Sequence, residues 1–369
     1  MKCTKLLVAF LLLLASNGKA QGLTTLPDGG NKKASVSELI GITDVVIHYD
    51  RPGVKGREGK IWGGLVPYGF NDLGFGTSKA SPWRAGANEN TTISFTTDVE
   101  INGQPLAAGV YGLSLAMKED GATVIFSHNA TSWGSFFYDP KDDALRVEVK
   151  SEKTKEETER LTYEFSNQTE NSARVSMCWE YLRVPFTVSV DYVKTQMESF
   201  RRELKSNKGF RWEAWVQAAN FAVARHTNLD EALAWSNYAI EGPFVGQKNF
   251  NTLSCKASVL SALGRADEAA SLMKEALPLA NMVELHNYGR QLVAEKKFKE
   301  AMDAFKLNAQ KNPNVFTTNV GLMRGYSANG DFKTALKYAK MALPQAPDAL
   351  NKNALTGYIQ KLGEGKDVN

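Results

Sequence analysis

From about Ser35 to Val190 the apolar positions recur with a period of two. Leu145, Val147 and Val149 alternate with Arg146, Glu148 and Lys150, and Leu161, Tyr163 and Phe165 follow the same rule. Ala173, Val175, Met177, Trp179 and Tyr181 do so as well, and Val184, Phe186, Val188 and Val190 carry the pattern past Pro185. Such alternation predicts half-buried strands with one face in a core and the other in water. Asn102-Gly103, Ala108-Gly109 and Asp120-Gly121 mark turns; Asn-Gly suits a tight hairpin because both central residues must tolerate positive φ. About ten short strands with frequent turns predict an antiparallel sandwich or barrel. The charged run 151–160, SEKTKEETER, reads as a solvated hairpin tip.

From about Asp191 the spacing becomes three and four. Ala232, Ala269, Ala301 and Ala335 stand 37, 32 and 34 residues apart. Gly264 and Gly330 precede an alanine by five, Ala239, Ala276 and Ala342 follow one by seven, and Pro313 and Pro347 follow by twelve. Small residues at fixed places let paired helices approach closely, and the prolines stop the second helix of each pair. The pattern resembles the tetratricopeptide repeat: four degenerate units over about 211–349, with Leu350 to Leu362 as a capping helix. The first unit needs a loop longer by about one residue. Asn308 and Met323 stand where the repeat has small residues.

The fold expected is therefore multidomain, β then α: an antiparallel β-sandwich-like domain followed by a tetratricopeptide-like α-solenoid. The segments are a signal peptide (1–20), a linker (21–34), a β-rich domain (35–190), a connecting helix (191–210) and the repeats with their cap (211–369). The signal rests on Lys2 and Lys5, the ten-residue apolar run Leu6 to Ala15, and small residues flanking Lys19. Export to the periplasm or beyond is the expectation, with no transmembrane segment left after the signal is removed. Removing residues 1–20 takes three lysines from 44 basic residues against 40 acidic ones, so the formal charge falls from +4 to +1. That balance, without a basic run, argues against nucleic acid as a partner. Composition, 43% hydrophobic and 23% charged, excludes a disordered chain. Cys178 and Cys255, one in each half, read as buried free thiols.

Four segments of the β half, 40–69 (IGITDVVIHYDRPGVKGREGKIWGGLVPYG), 83–95 (WRAGANENTTISF), 107–115 (AAGVYGLSL) and 133–147 (WGSFFYDPKDDALRV), resemble one family, domain of unknown function 2911. The likeness covers about 36–190. The segment 70–82 (FNDLGFGTSKASP) is longer than the family's commonest connection there. The resemblance implies secretion and a β-rich fold, and supplies no reaction.

The densest polar constellation is Trp83 to Asn90. Arg84 offers a planar donor fork, Asn88 can orient a hydroxyl or amide, and Glu89 can act as an acid–base group. With Arg51, Arg57, Tyr68 and His48 they can line a pocket for a carboxylate or sugar; Arg51, Arg84, Asn88 and Glu89 are the expected ligand contacts. Structurally, Arg84 and Glu89 instead pair and cap a buried loop, and Arg84→Ala then costs about 3–5 kcal/mol. His48 and His128 read more simply as surface or loop residues. Trp62, Trp83 and Trp133 form a sugar-stacking platform if exposed together, or else core tryptophans. No HExxH, His-x-His or CxxC spacing occurs, so no metal or other cofactor is expected. No nucleophile elbow or phosphate-binding loop occurs.

In tetratricopeptide arrays the first helix of each unit lines a concave groove, its inward positions three before and one after the small residue. The resemblance thus implies a groove bearing Ser254, Ser258, His286, Arg290 and Arg324. Arginine forks recognise carboxylates, so the expected partner is an acidic peptide or protein, with a small envelope ligand on the β domain. An exported binding or scaffold module is the leading function. The alternative is a hydrolase of envelope carbohydrate or peptide, with Glu89 as acid–base, Arg84 beside it and His48 assisting.

Overall fold

The alternating segments are strands in the computed structural model, which describes residues 30–369. The expected signal, and the linker as far as residue 29, lie outside the described residues. The chain divides between Thr195 and Gln196 into two units. The first holds, among the described residues, ten strands: β1 (Lys32–Ile40), β2 (Thr43–Arg51), β3 (Thr91–Phe95), β4 (Val99–Ile101), β5 (Gln104–Leu106), β6 (Gly109–Met117), β7 (Gly121–Ser127), β8 (Asp143–Lys150), β9 (Glu152–Ser166) and β10 (Ser172–Ser189).

They form two antiparallel sheets, ordered β1-β2-β3-β6-β7-β8 and β5-β4-β10-β9. Ile47, Ile93, Leu113 and Val124 of the first share one core with Leu161, Val175 and Val188 of the second. This is the expected sandwich. Asn102 and Gly103, with φ of 48° and 79°, close the β4–β5 hairpin.

Two readings change. Residues 151–160 are not a hairpin tip: they are chiefly the first part of β9, an edge strand paired with β10. Their charges suit an edge, where desolvating lysine and glutamate opposes pairing with another chain. Tyr181 does not continue the buried row of β10. Glu180 has a φ of 53° and the register against β9 shifts on either side of it, so the inward parity of β10 reverses across this irregularity. Trp179 is buried and Tyr181 is 42% exposed, and burial resumes at even positions Val184, Phe186 and Val188.

The helices are α1 (Tyr192–Glu203), α2 (Trp212–Ala224), α3 (Leu229–Glu241), α4 (Phe250–Ala262), α5 (Ala266–Ala276), α6 (Met282–Ala294), α7 (Phe298–Lys311), α8 (Phe316–Ala328), α9 (Phe332–Ala342) and α10 (Ala349–Gly363). From α2 they pair as four hairpins with α10 after them. Turns 263–265, 295–297 and 329–331 separate three pairs, while the first pair has the longer turn 225–228. Such short connections force antiparallel neighbours. Ala232, Ala301 and Ala335 are fully buried in the second helices, and Ala269 nearly so. Asn308 is buried too, its Nδ2 donating to the Met282 carbonyl at 2.8 Å. The helix α2 packs on α4 and α6 on α8, completing the tetratricopeptide-like solenoid.

Candidate functional site

In the β unit, β2 carries Val45, Ile47 and Tyr49 into the core and leaves His48 and Asp50 on the opposite face. Register places Lys33 of β1 beside Asp50, and Ser35 and Thr92 beside His48. The loop before β3 closes over this face. Ala85 and Asn88 adopt positive φ, and the Ala85 carbonyl accepts from Thr91 and from the Tyr163 hydroxyl. Gly86 is required there, since a Cβ would lie 2.6 Å from the Thr91 hydroxyl oxygen.

Within this frame Glu89 pairs with Lys33 at 2.9 Å, and Asn88 donates to the Asp50 carboxyl at 3.2 Å. The Lys33 ammonium holds Glu89 below the usual carboxylate range. Burial pushes Asp50 up, and the neighbouring Glu89 adds to the shift. Two carboxyls driven apart in this way can divide acid and base roles. The member shifted upward is Asp50, which the sequence reading passed over, and not Glu89.

Arg84 does not pair with Glu89. Its Nη1 donates to the Asn88 carbonyl at 2.6 Å, and its guanidinium lies over the Phe136 ring, 5.1 Å from the centroid. Losing Arg84 therefore leaves no carboxylate stranded, and the cost of about 3–5 kcal/mol expected for a broken buried pair does not apply. Arg51 turns to β9, donating to the Leu161 carbonyl and the Thr162 hydroxyl at 2.9 and 2.6 Å. Arg57 closes its own loop on the Gly53 and Val54 carbonyls. Tyr68 is exposed beside Gly63, and His128 is exposed against the Tyr111 ring. Glu89, Asn88, Asp50 and Lys33 thus form one group, which Arg51 does not join.

Of the two tryptophan readings, the core one holds for Trp62 and Trp83 and not for Trp133. Trp62 and Trp83 pack with the buried Trp179, their ring centroids 5.8–5.9 Å apart, while Trp133 is exposed in another loop. The long segment 70–82 forms an open groove of about 680 Å³ whose lining includes Phe70, Lys79, Tyr138 and Arg146. No groove was read there, because its walls come from loops without periodicity.

Residues 31–188 match the family model described as protein of unknown function (DUF2911). The β unit is DUF2911-like. No curated protein matches the chain. The DUF2911-like half lies outside the helical likenesses found among solved structures. One is described as "YrrB: a TPR protein with an unusual peptide-binding site": 17% identity, 45% of this chain, 84% of that one, TM-score 0.28. Another is a putative kinesin light chain of Podosopora anserina with nearly identical TPR-like repeats: 15% identity, 47% and 86% coverage, TM-score 0.28. A third, "MamA MSR-1 C2", shows 15% identity, 42% and 95% coverage, TM-score 0.25.

In the helical unit, His286 and Arg290 lie one turn apart on α6, and Arg324 lies on α8. His286 lies against α8, where a Cβ on Gly321 would sit 3.3 Å from its Nδ1; burial lowers its pKa to about 4, and the Arg290 and Arg324 charges act in the same direction. Neither arginine has an acidic partner in ion-pair range among the described residues. Ser254 and Ser258 on α4 donate to the Asn251 and Ser254 carbonyls of their own helix. Arg324 reaches the Tyr358 hydroxyl and the Asn369 side chain, both at 3.3 Å. The contribution of residues 367–369 was missed because the sequence reading ended at the capping helix.

Cys178 and Cys255 are free and buried, and burial pushes the Cys255 thiol up to about 12. Among the described residues no group of His, Cys, Asp and Glu could hold a metal ion, and no helix is long and apolar enough to cross a membrane.

Proposed function

We propose that the protein is an exported scaffold that binds an acidic peptide or protein segment on the first-helix face of its helical unit. The observation carrying this reading is His286 seated against α8 within the fields of Arg290 and Arg324, neither of which is ion-paired to an acid among the described residues. Two guanidinium groups at one place repel each other, and a carboxylate-bearing ligand relieves that repulsion while forming charge-assisted hydrogen bonds. The β unit, on this reading, presents the Lys33–Asp50–Asn88–Glu89 group to a small envelope ligand. A hydrolase using Glu89 as its general acid is not favoured, because Lys33 already holds that carboxylate as an anion.

The test is capture from cell-envelope extract by the wild type and by the Arg290→Glu, Arg324→Glu double variant. Proteins retained by the wild type and lost by the variant are expected, and equal capture by both overturns the reading. N-terminal sequencing of the protein recovered from the envelope tests export. A start near Gln21 is expected, and an intact Met1 on a cytoplasmic product refutes it.

A further inference from the structure

The chain does not run off into solvent after α10. Gly365, with a φ of 71°, turns it, and residues 367–369 come back against α8. Three contacts hold them. One Asp367 carboxylate oxygen accepts from the Ser327 hydroxyl at 2.6 Å, from the Val368 backbone at 2.8 Å and from the Asn369 amide at 2.8 Å. The Val368 N–H also donates to the Ser327 oxygen at 3.1 Å, and its side chain is buried with Met323, Leu355 and Leu362. The Asn369 amide donates to the Arg324 carbonyl at 3.1 Å and accepts from the Arg324 guanidinium at 3.3 Å.

We propose that residues 367–369 occupy the peptide site of the helical unit in cis, and that the partner is a segment of like chemistry, an acidic residue, then a β-branched apolar one, then an amide, which displaces them. The proposal rests on the groove reading above. Arg324 belongs to that groove and Ser327 lies one turn further along the same helix, so the returning segment covers the end of the face assigned to the partner.

Closing the solenoid does not require this segment, because α10 already buries Leu355 and Leu362 at the end of the stack. What residues 367–369 add is chiefly polar and specific. Ser327 is almost wholly buried, yet it reads both a carboxylate and a backbone N–H. Burial works against the Asp367 charge, but bonds from Ser327, Asn369 and two backbone N–H groups outweigh it and keep the carboxyl below its usual range. A tethered segment acts at an effective concentration on the order of millimolar, so a free ligand prevails only by adding contacts. Continuing along α8 and α6 to Arg290 and His286 supplies them.

The probe is a labelled peptide of residues 364–369 with blocked ends, titrated by fluorescence anisotropy into the full chain. The wild type is expected to bind it at least about ten-fold more weakly than the Asp367→Ala, Val368→Gly variant, whose site is vacated. Adding Arg324→Glu to that variant should abolish the gain. Asp367→Asn, which preserves length and shape, should show the same gain at smaller amplitude and guards against misfolding of the double variant. Equal affinity in the wild type and both tail variants overturns the proposal. If the envelope partner depends on Arg290 and Arg324 while tail variants gain nothing, only the cis occupant is wrong. If tail variants gain probe binding while envelope capture ignores the arginines, the partner reading falls instead.

Discussion

His286 shows how far a single side chain can be argued. Burial and two neighbouring guanidinium charges hold it neutral, with a pKa of about 4 against an ordinary value near 6.5. The unfolded chain therefore takes up a proton first as pH falls. Stability from this residue is complete above about pH 6.5 and is lost on the way down to about 4. Between pH 7 and 5 the loss is about 1–2 kcal/mol. Urea unfolding at the two pH values should show that loss in the wild type and a smaller one in His286→Gln; equal losses would refute it. The position was legible because helical spacing fixes which residues share a face. The β-unit group was less so: Asn31 meets Asn88 and Asn88 meets Asp50 across 57 and 38 residues, and strand register decides such meetings. Nothing in the spacing near Glu89 pointed to Lys33.

Among elements, the third pair carries the best-matched repeat pattern, and its glycine shows why. A Cβ on Gly289 of α6 would sit 2.4 Å from the ring of Phe305 on α7, which is 1% exposed. The ring cannot swing aside, because Gly321 and Gly325 of α8 abut it from the next pair, their added Cβ atoms falling at 2.7 and 2.9 Å. Gly289→Ala gains helix propensity of about 1 kcal/mol, yet overpacking of this kind costs about 1–3 kcal/mol. Net destabilisation in chemical denaturation is expected, and an unchanged or raised midpoint would refute the packing argument. Strand existence was equally legible, while the irregularity at Glu180 was not, although its trace is present: the core residues of β10 are odd up to Trp179 and even from Val184. A parity change inside one apolar run signals a break in the strand's register. The charged start of β9 was misread because edge strands, solvated on one side, imitate turns in composition.

Over the whole solenoid, order follows from nearest neighbours. The first pair packs on the second and the third on the fourth, Phe250 and Leu253 of the second share a core with Leu285 of the third, and the last core joins Met323, Ala335 and Ala339 to Leu355 and Leu362 of α10. The fold class was legible from the change of period, since a period of two and a spacing of three and four demand different layers. The return of residues 367–369 was not, because six residues after a helix carry no period. Stability in such an array is approximately a sum of repeat terms and interfaces between neighbours. Leu355→Ala, at a position 2% exposed, should cost about 2–5 kcal/mol locally. That loss should not spread evenly. Amide hydrogen exchange is expected to lose protection in α8, α9 and α10, and to keep it in α2 and α3, which share no core residue with Leu355. Uniform loss from α2 to α10 would show that the helices unfold as one cooperative body. Residues 367–369 should exchange fastest of all in this variant, because Val368 belongs to the core cluster from which the side chain has been removed.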